Sequence, residues 1–437
     1  MGSERIAIPT LRFLANHPRL TRQVFRFAED GNPFDPSTAS DPYAKLERDW
    51  PKGRVFYARR NAAWNVIGYD EARQILSSPA TSVSSQIDIF LAGRSRRKLS
   101  PETVTFLSKV LIIVDPPEHT RLRRIVASTF SPAQIRRLEP VVTELVETML
   151  ADVADQASPD LVPAIVSPLP ITIISELLGL PADRRTWLRE ISDEITKIFS
   201  PFQRMDAARV DAAIAELSDY IIQLADERRA DPQDDLLTAL VRAEDDEGRL
   251  SQDELVTMVG MLMFAGHETT DGLLGNAIVA LAAHPDQRTK LREDPALWPN
   301  AIEELIRYDT SVLVALRRAD EDIDIAGVTI PTGSNIFIEL GAANRDPKRF
   351  DQPNRLIVDR PDPRPISFGH GVHHCLGAAL ARLELRIALP AIVEEFGDYT
   401  IDDEQIEWKQ LSTFRGPTTL RIERSRPHPR SLSRTGS

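Results

Sequence analysis

The sequence predicts a mainly α-helical protein with small β-sheets, organised as a single large helical domain around one long central helix. Three observations carry that expectation. Apolar residues recur every three or four positions through most of the chain, as in "IRRLEPVVTELVETMLADV" (Ile135 to Val153) and "VDAAIAELSDYIIQLADERR" (Val210 to Arg229). The β signals are short and scattered, which suits small sheets beside a helical bulk and not a doubly wound sheet. One helical stretch is far longer than the rest and carries its own start and stop signals.

Taken in order, "MGSERIAIPTLRFLANHP" has no continuous apolar core ahead of a small-residue site, so it does not read as a secretory signal; residues 1–30 are expected to form an N-terminal extension. "RVFYA" and "WNVIGY" read as strands, followed by helices through the middle of the chain. Ser251 and Glu254 form a capping-box pattern and Pro285 lies past the far end, which predicts a helix from Gln252 to Ala283, roughly 48 Å long at 1.5 Å per residue. Strand signals return at "IDIAGVTIPTGSNIFIEL" (Ile323 to Leu340), "DYTI" and "TTLRIE". Residues 424–437 are polar and rich in Pro, Ser and Arg, and are expected to be a disordered tail, leaving residues 1–423 as the domain.

Composition narrows the function classes. Acidic residues outnumber basic ones, 65 to 53, for a formal charge of -12, which argues against nonspecific nucleic-acid binding. The longest apolar run, "LVTMVGMLMFAG", has 12 residues and ends against His267 and Glu268, short of the roughly 20 that a membrane span needs. One cysteine rules out an intrachain disulfide and any multi-cysteine metal site, and suits a reducing cytosol, so a cytoplasmic location is expected.

That cysteine, Cys375, sits in "FGHGVHHCLG" (Phe368 to Gly377). Glycines at 369, 371 and 377 let the backbone turn or approach a flat group, and the following "CLGAALARLELRIAL" reads as a helix with Cys375 at its start. Helix N-terminal N–H groups stabilise a thiolate, as an axial ligand to iron requires. A buried cysteine in a Gly-rich turn would look the same. In the long helix, "AGHETT" (Ala265 to Thr270) places Glu268 and Thr269 within apolar surroundings, where a hydroxyl and a carboxylate could hold a small polar ligand and relay protons. The Thr269 hydroxyl can bond the Ala265 carbonyl, and Gly266 removes bulk where the helix would pass a planar cofactor. "HETTD" also lies one residue from the zinc-hydrolase pattern H-E-x-x-H, with Asp271 in place of the second histidine. Glu304 and Arg307 can pair on one helical face, and His119, Arg123, Arg317 and His373 could together bind two carboxylates.

Read together, "DPPEHTRLRR", "AGHETT", "EELIR", "ANRDP" and "FGHGVHHCLG" resemble the motifs of the bacterial cytochrome P450 family of haem-thiolate monooxygenases, in order and over roughly residues 30 to 423. The resemblance implies a P450 fold with its long helix over a non-covalent haem b, with Cys375 as the iron ligand. His119, Arg123, Arg317 and His373 would contact the haem propionates; Phe368, Gly371, Gly377 and Ala265 would shape the cofactor site. Gly371 and Gly377 would also expose N–H groups to the sulfur. Thr269 and Glu268 match the oxygen-activation pair. Glu304 and Arg307 match a structural pair, joined by an arginine for which Arg355 is the choice.

By family position the substrate pocket would include Ile89, Phe90, Leu91, Met261, Phe264, Val312, Leu313, Val314, Thr413 and Phe414, an apolar lining for a hydrophobic small molecule. Arg94, Arg96, Arg97 and Lys98 form a basic run that could receive an acidic substrate group. The co-substrate would be O2, with electrons from a separate ferredoxin and ferredoxin reductase meeting Arg121, Arg124 and Arg382 on a monomer. No nucleic acid and no membrane enter this reading. The sequence departs from the family pattern at Pro365, where many members have His, at Leu356, where Phe is usual, and at His374, commonly apolar. Two other classes stand beside the enzyme: a noncatalytic haem-binding sensor, which would not need Glu268 with Thr269, and a zinc hydrolase through His267 and Glu268.

Overall fold

The structure, a computed structural model, describes residues 39–59, 62–84, 98–127, 129–199, 205–245, 250–409 and 413–424. Ile89, Phe90, Leu91, Arg94, Arg96, Arg97, the 1–30 extension and nearly all of the 424–437 tail lie outside them. Among the described residues twelve helices have eight residues or more: α1 (Tyr69–Ser77), α2 (Pro101–Ser108), α3 (Glu118–Ala127), α4 (Glu139–Val153), α5 (Pro168–Leu178), α6 (Arg185–Thr196), α7 (Ala207–Ala230), α8 (Leu236–Asp245), α9 (Gln252–Ala283), α10 (Pro285–Glu293), α11 (Trp298–Tyr308) and α12 (Ala378–Phe396).

The long helix has the bounds its caps predict. Ser251 Oγ accepts from the Glu254 N–H and the Glu254 carboxylate accepts from the Ser251 N–H, so each end of the capping box satisfies an orphan donor. It is buried on nearly every side, and α5, α6, α7, α8, α10, α11 and α12 all pack on it. A helix that is apolar all round belongs inside a protein, and α9 is the axis of this core. The helix expected over residues 135–153 is split, with Pro132–Arg137 separate from α4. Pro140 has no N–H to give the preceding turn, so α4 starts afresh there.

The main sheet has the order β1-β2-β7-β4-β3, from β1 (Val55–Ala58), β2 (Ala63–Val66), β3 (Thr81–Ser82), β4 (Val314–Ala319) and β7 (Asn335–Glu339). Only β2 and β7 run parallel, Ala63 opposite Asn335. Between β4 and β7 a hairpin joins β5 (Ile323–Ile325) to β6 (Val328–Ile330). Two small pairs near the C-terminus match β8 (Tyr399–Thr400) with β11 (Glu423–Arg424) and β9 (Glu407–Trp408) with β10 (Pro417–Thr419). Strand β4 was not expected, because "LRR" breaks the apolar alternation. The two-residue period resolves this: Arg317 turns to the interior and Arg318 to the other face.

Candidate active site

The cysteine loop closes on itself before α12. The Cys375 N–H donates to the Phe368 carbonyl at 2.8 Å, and Gly369 and Gly371 take φ of +69° and +73°. At Gly371 the expected turn is joined by a close approach. A Cβ there would lie 2.7 Å from the Leu76 carbonyl oxygen and 2.9 Å from the Ser77 Cα, so Gly371 lets the loop press against the end of α1. The N–H groups that favour a thiolate at Cys375 come from Gly377 and Ala378, just at the start of α12, which begins at Ala378 and not at the cysteine. Burial still pushes the thiol up, against those N–H groups and the nearby Arg123 and Arg382. The side chain is exposed, but to an internal cavity of about 330 Å³. A sulfur so placed holds its thiolate form only against a cation.

Along one edge of this cavity lie His119, Arg123, Arg317 and His373. Their state shows what the edge lacks. The His119 and His373 rings stack at 4.1 Å between centroids, and neither ring nitrogen of His119 has a hydrogen-bond partner. Burial lowers His119 and takes His373 down to about 3, with Arg317 adding to both; burial also lowers Arg317, to about 10. Arg317 donates to the Leu316 carbonyl at 2.7 Å and Arg123 to the His374 carbonyl at 2.7 Å; neither bonds a carboxylate among the described residues. Two buried and two half-buried nitrogen side chains with no anion beside them among the described residues, at the rim of a cavity floored by a sulfur, fit a flat group with a metal centre and carboxylates on one edge. That is the donor set a haem requires. Phe368 and Ala265 also line the cavity, and the Arg382 guanidinium lies 4.5 Å over the Phe368 ring.

The opposite wall is α9. Thr269 faces the cavity and its hydroxyl donates to the Ala265 carbonyl at 2.8 Å, the bond expected from the spacing, while the helix runs on unbroken. Gly266 lines the cavity as well, and a Cβ there would meet Ile174 of α5 at 3.0 Å, so its lack of bulk also serves helix packing. One residue turns a helix by about 100°, so Glu268 does not share the Thr269 direction. Glu268 is buried behind the wall, where Lys409 donates to it at 2.8 Å and to Asp271 at 2.5 Å. Ligand atoms of Asp193, His267 and Glu268 lie within 4.8 Å of one another, but the Lys409 ammonium already stands where a metal would neutralise Glu268, so the zinc reading has no vacancy to fill.

Glu304 and Arg307 of α11 are wholly buried and bidentate, at 2.6 and 2.8 Å. The third member is Arg360, not Arg355: Arg360 Nε lies 3.0 Å from each Glu304 oxygen. Arg355 turns its guanidinium to Gln352 at the surface and contributes its backbone carbonyl, which accepts from Arg307 at 3.2 Å and Arg360 at 3.0 Å. Nothing local in the chain marks Arg360, 56 residues from its partner.

Of the expected pocket residues, Met261, Phe264, Val312, Val314, Thr413 and Phe414 line the cavity. Leu313, just ahead of β4, does not; it lies beside Tyr43 and Gly341. Phe199 and Ile174 complete an apolar wall that the sequence did not single out, with Phe199 packed on Phe264 at 5.2 Å. On the outer face, Arg121 is engaged by Glu118 and Glu254 and Arg382 by Glu303, whereas Arg124 is exposed. Leu356 is buried, keeping an apolar side chain where the family has Phe.

Comparison with known proteins agrees with this geometry. The cytochrome P450 family profile matches residues 77–296 and 294–414. The chain is 38% identical over 395 residues to cytochrome P450 monooxygenase PikC of Streptomyces venezuelae, covering 88% of this chain and 91% of that protein. It is 36% identical over 393 residues to the 6-deoxyerythronolide B hydroxylase of Saccharopolyspora erythraea, covering 86% of this chain and 93% of that one. The crystal structure of CalO2 superposes with a TM-score of 0.85 at 30% identity, over 91% of this chain and all of that one. With the fold, the cysteine loop and the relatives in accord, the chain belongs to the cytochrome P450 family.

Proposed function

We propose that this chain is a monooxygenase acting on a hydrophobic small molecule, with Cys375 holding the iron of a haem b and Thr269 and Glu268 managing protons on the opposite wall. The observation that carries the assignment is the opposition of Cys375 to Thr269 across one cavity whose rim carries His119, Arg123, Arg317 and His373, with no carboxylate bonded to Arg123 or Arg317 among the described residues. Thiolate-ligated haem, reduced and supplied with O2, inserts one oxygen atom into a C–H or C=C bond and delivers the other as water. The chain's own part is to bind, orient and protonate. Arg123 and Arg317 would take carboxylates bidentately, and His119 and His373 would donate beside them. Gly377 and Ala378 aim N–H groups at the sulfur, which lowers its charge density and tunes the metal. Phe199, Phe264, Val312 and Phe414 exclude water and hold an apolar substrate over the site. Substrates are hydroxylated or epoxidised.

Electrons would come from a separate ferredoxin and its reductase, with exposed Arg124 among their contacts. No helix among the described residues is long and apolar enough to cross a membrane. A cytoplasmic enzyme of one domain over residues 1–423 is the arrangement this reading takes. The absorption spectrum of the reduced carbonyl complex tests it first: a Soret band at the thiolate position is expected, and a colourless protein or a histidine-type band would overturn it.

Thr269 has a prediction of its own. Thr269→Ala removes the cavity-lining hydroxyl that donates to the Ala265 carbonyl, so product formed per NAD(P)H consumed should fall several-fold while hydrogen peroxide rises, in the range of general acid–base effects. Equal product per electron pair in the variant would remove Thr269 from the proton route.

A further inference from the structure

Behind the α9 wall, one ammonium serves two carboxylates. Lys409 is buried and donates to Glu268 Oε1 at 2.8 Å and to Asp271 Oδ1 at 2.5 Å, two residues three apart on one face of the helix. Asp271 also accepts from Ser167 Oγ at 3.1 Å. The backbone that delivers Lys409 is fastened closely. Its N–H donates to the Gly416 carbonyl at 2.9 Å, and the Arg415 N–H donates to the Ser311 carbonyl at 2.7 Å. A Cβ on Gly416 would lie 2.8 Å from the Gly272 Cα, and a Cβ on Gly272 would lie 2.4 Å from the Arg415 carbonyl oxygen. Two glycines therefore let this strand lie directly on α9, and that contact fixes where the ammonium lands. The same stretch of chain carries Thr413 and Phe414 into the cavity.

We infer that Lys409 is a positioning residue for oxygen activation: by dividing one ammonium between Glu268 and Asp271, it holds the Glu268 carboxyl behind the α9 wall that carries Thr269 and sets how readily that carboxyl gives and takes a proton. The inference rests on the reading that Glu268 supplies protons.

The electrostatics supply the sign. Burial is the chief influence on Glu268 and raises it to about 7; Asp271 and Asp193 add to that, and Lys409 opposes it. His267 cannot assist. Burial takes it down to about 4, neither of its ring nitrogens has a partner, and it enters the cluster neutral. Arg189 of α6 and Lys197 just beyond it act mainly on Asp193, which reaches solvent. Lys409 is thus the cation in contact with Glu268, and Asp271 is its nearer acceptor.

This arrangement predicts opposite effects from two substitutions in one cluster. Lys409→Met withdraws the opposing cation, so Glu268 should titrate at higher pH. Asp271→Asn withdraws the competing anion and frees Lys409 for Glu268, so Glu268 should titrate at lower pH. A shift of about one pH unit each way corresponds to a tenfold change in proton affinity. Loss of packing alone would give no such reversal.

The experiment uses the haem-loaded enzyme. Infrared difference spectra across a pH titration, referenced to Glu268→Gln, follow the protonated carboxyl band without any need for turnover. In parallel, NADPH-driven turnover with a surrogate ferredoxin system and myristic acid as probe gives the ratio of peroxide to NADPH against pH. Expected results are an upward displacement in Lys409→Met, a downward one in Asp271→Asn, and near wild-type titration in Lys409→Arg. Displacement in the same direction for both variants, or in neither, overturns the inference. Where Lys409→Met fails to fold, Asp271→Asn and Lys409→Arg still decide it. Wild-type coupling in Glu268→Gln, with the titration shifts intact, would instead overturn the proton-supply reading and leave the Lys409 geometry standing.

Discussion

Cys375→Ala is expected to reduce oxygen-dependent turnover to the background of the redox partners alone, with the thiolate-type carbonyl spectrum lost and the helical content unchanged. The side chain faces the cavity and not the core, so its removal takes away no packing between helices. No second sulfur is available as a ligand from cysteine, because the chain has only one. The expected residual species is a haem held by apolar contact and by the His119, Arg123, Arg317 and His373 edge, or ligated by a nearby imidazole. Carbonyl spectra and haem-to-protein ratio measure this directly. A variant that keeps the thiolate Soret band would show that the sulfur is not the iron ligand. A Cys375→His variant sharpens the comparison: nitrogen in place of sulfur should retain more haem than alanine does, yet fail to restore turnover, since thiolate electron donation is what favours O–O cleavage.

Much of this site can be read from sequence because its parts are local. The cysteine loop has its glycines, its turn and its helix start within ten residues, and α9 carries both cap residues within its first turn. Glu304 and Arg307 lie one helical turn apart, so spacing alone brings them together. What could not be read is what arrives from elsewhere. Lys409 is 141 residues from Glu268 and Arg360 is 56 from Glu304, and a lone cation in a loop carries no mark of the carboxylate it will meet. Arg355, the arginine chosen from the sequence, and Arg360 stand in the same irregular stretch; which guanidinium turns inward is decided by backbone conformation, not by residue type. Glycine is legible only in part. Gly371 makes the expected turn and Gly266 lines the cavity, but their contacts with α1 and α5 could not be foreseen, since a missing side chain does not name the neighbour that approaches it. Leu313 shows the limit in the irregular segment ahead of β4, where no repeating period says which way a side chain turns.

The corrected triad makes the second large prediction. Arg360→Ala should lower unfolding stability by about 3–5 kcal/mol, the usual cost of breaking a buried ion pair, whereas Arg355→Ala should change it by no more than about 0.5 kcal/mol. Arg360 is buried and gives Glu304 two contacts at 3.0 Å, while its terminal nitrogens donate to the carbonyls of Asp351, Gln352 and Arg355. Without it those carbonyls lose donors, and a cavity opens between α11 and the segment that leads to the cysteine loop. Arg307 would still neutralise Glu304, so the cost arises from lost hydrogen bonds and packing more than from a bare charge. Arg355 offers only its carbonyl to the cluster, and alanine supplies the same carbonyl. A stability of 5–15 kcal/mol is typical of a folded domain, so a loss of this size should also show as poor haem retention. Denaturant unfolding of the two variants, with haem content measured alongside, separates them. Equal destabilisation would mean that the Arg355 side chain also turns inward, and a larger loss in Arg355→Ala would restore it as the third member of the Glu304 cluster.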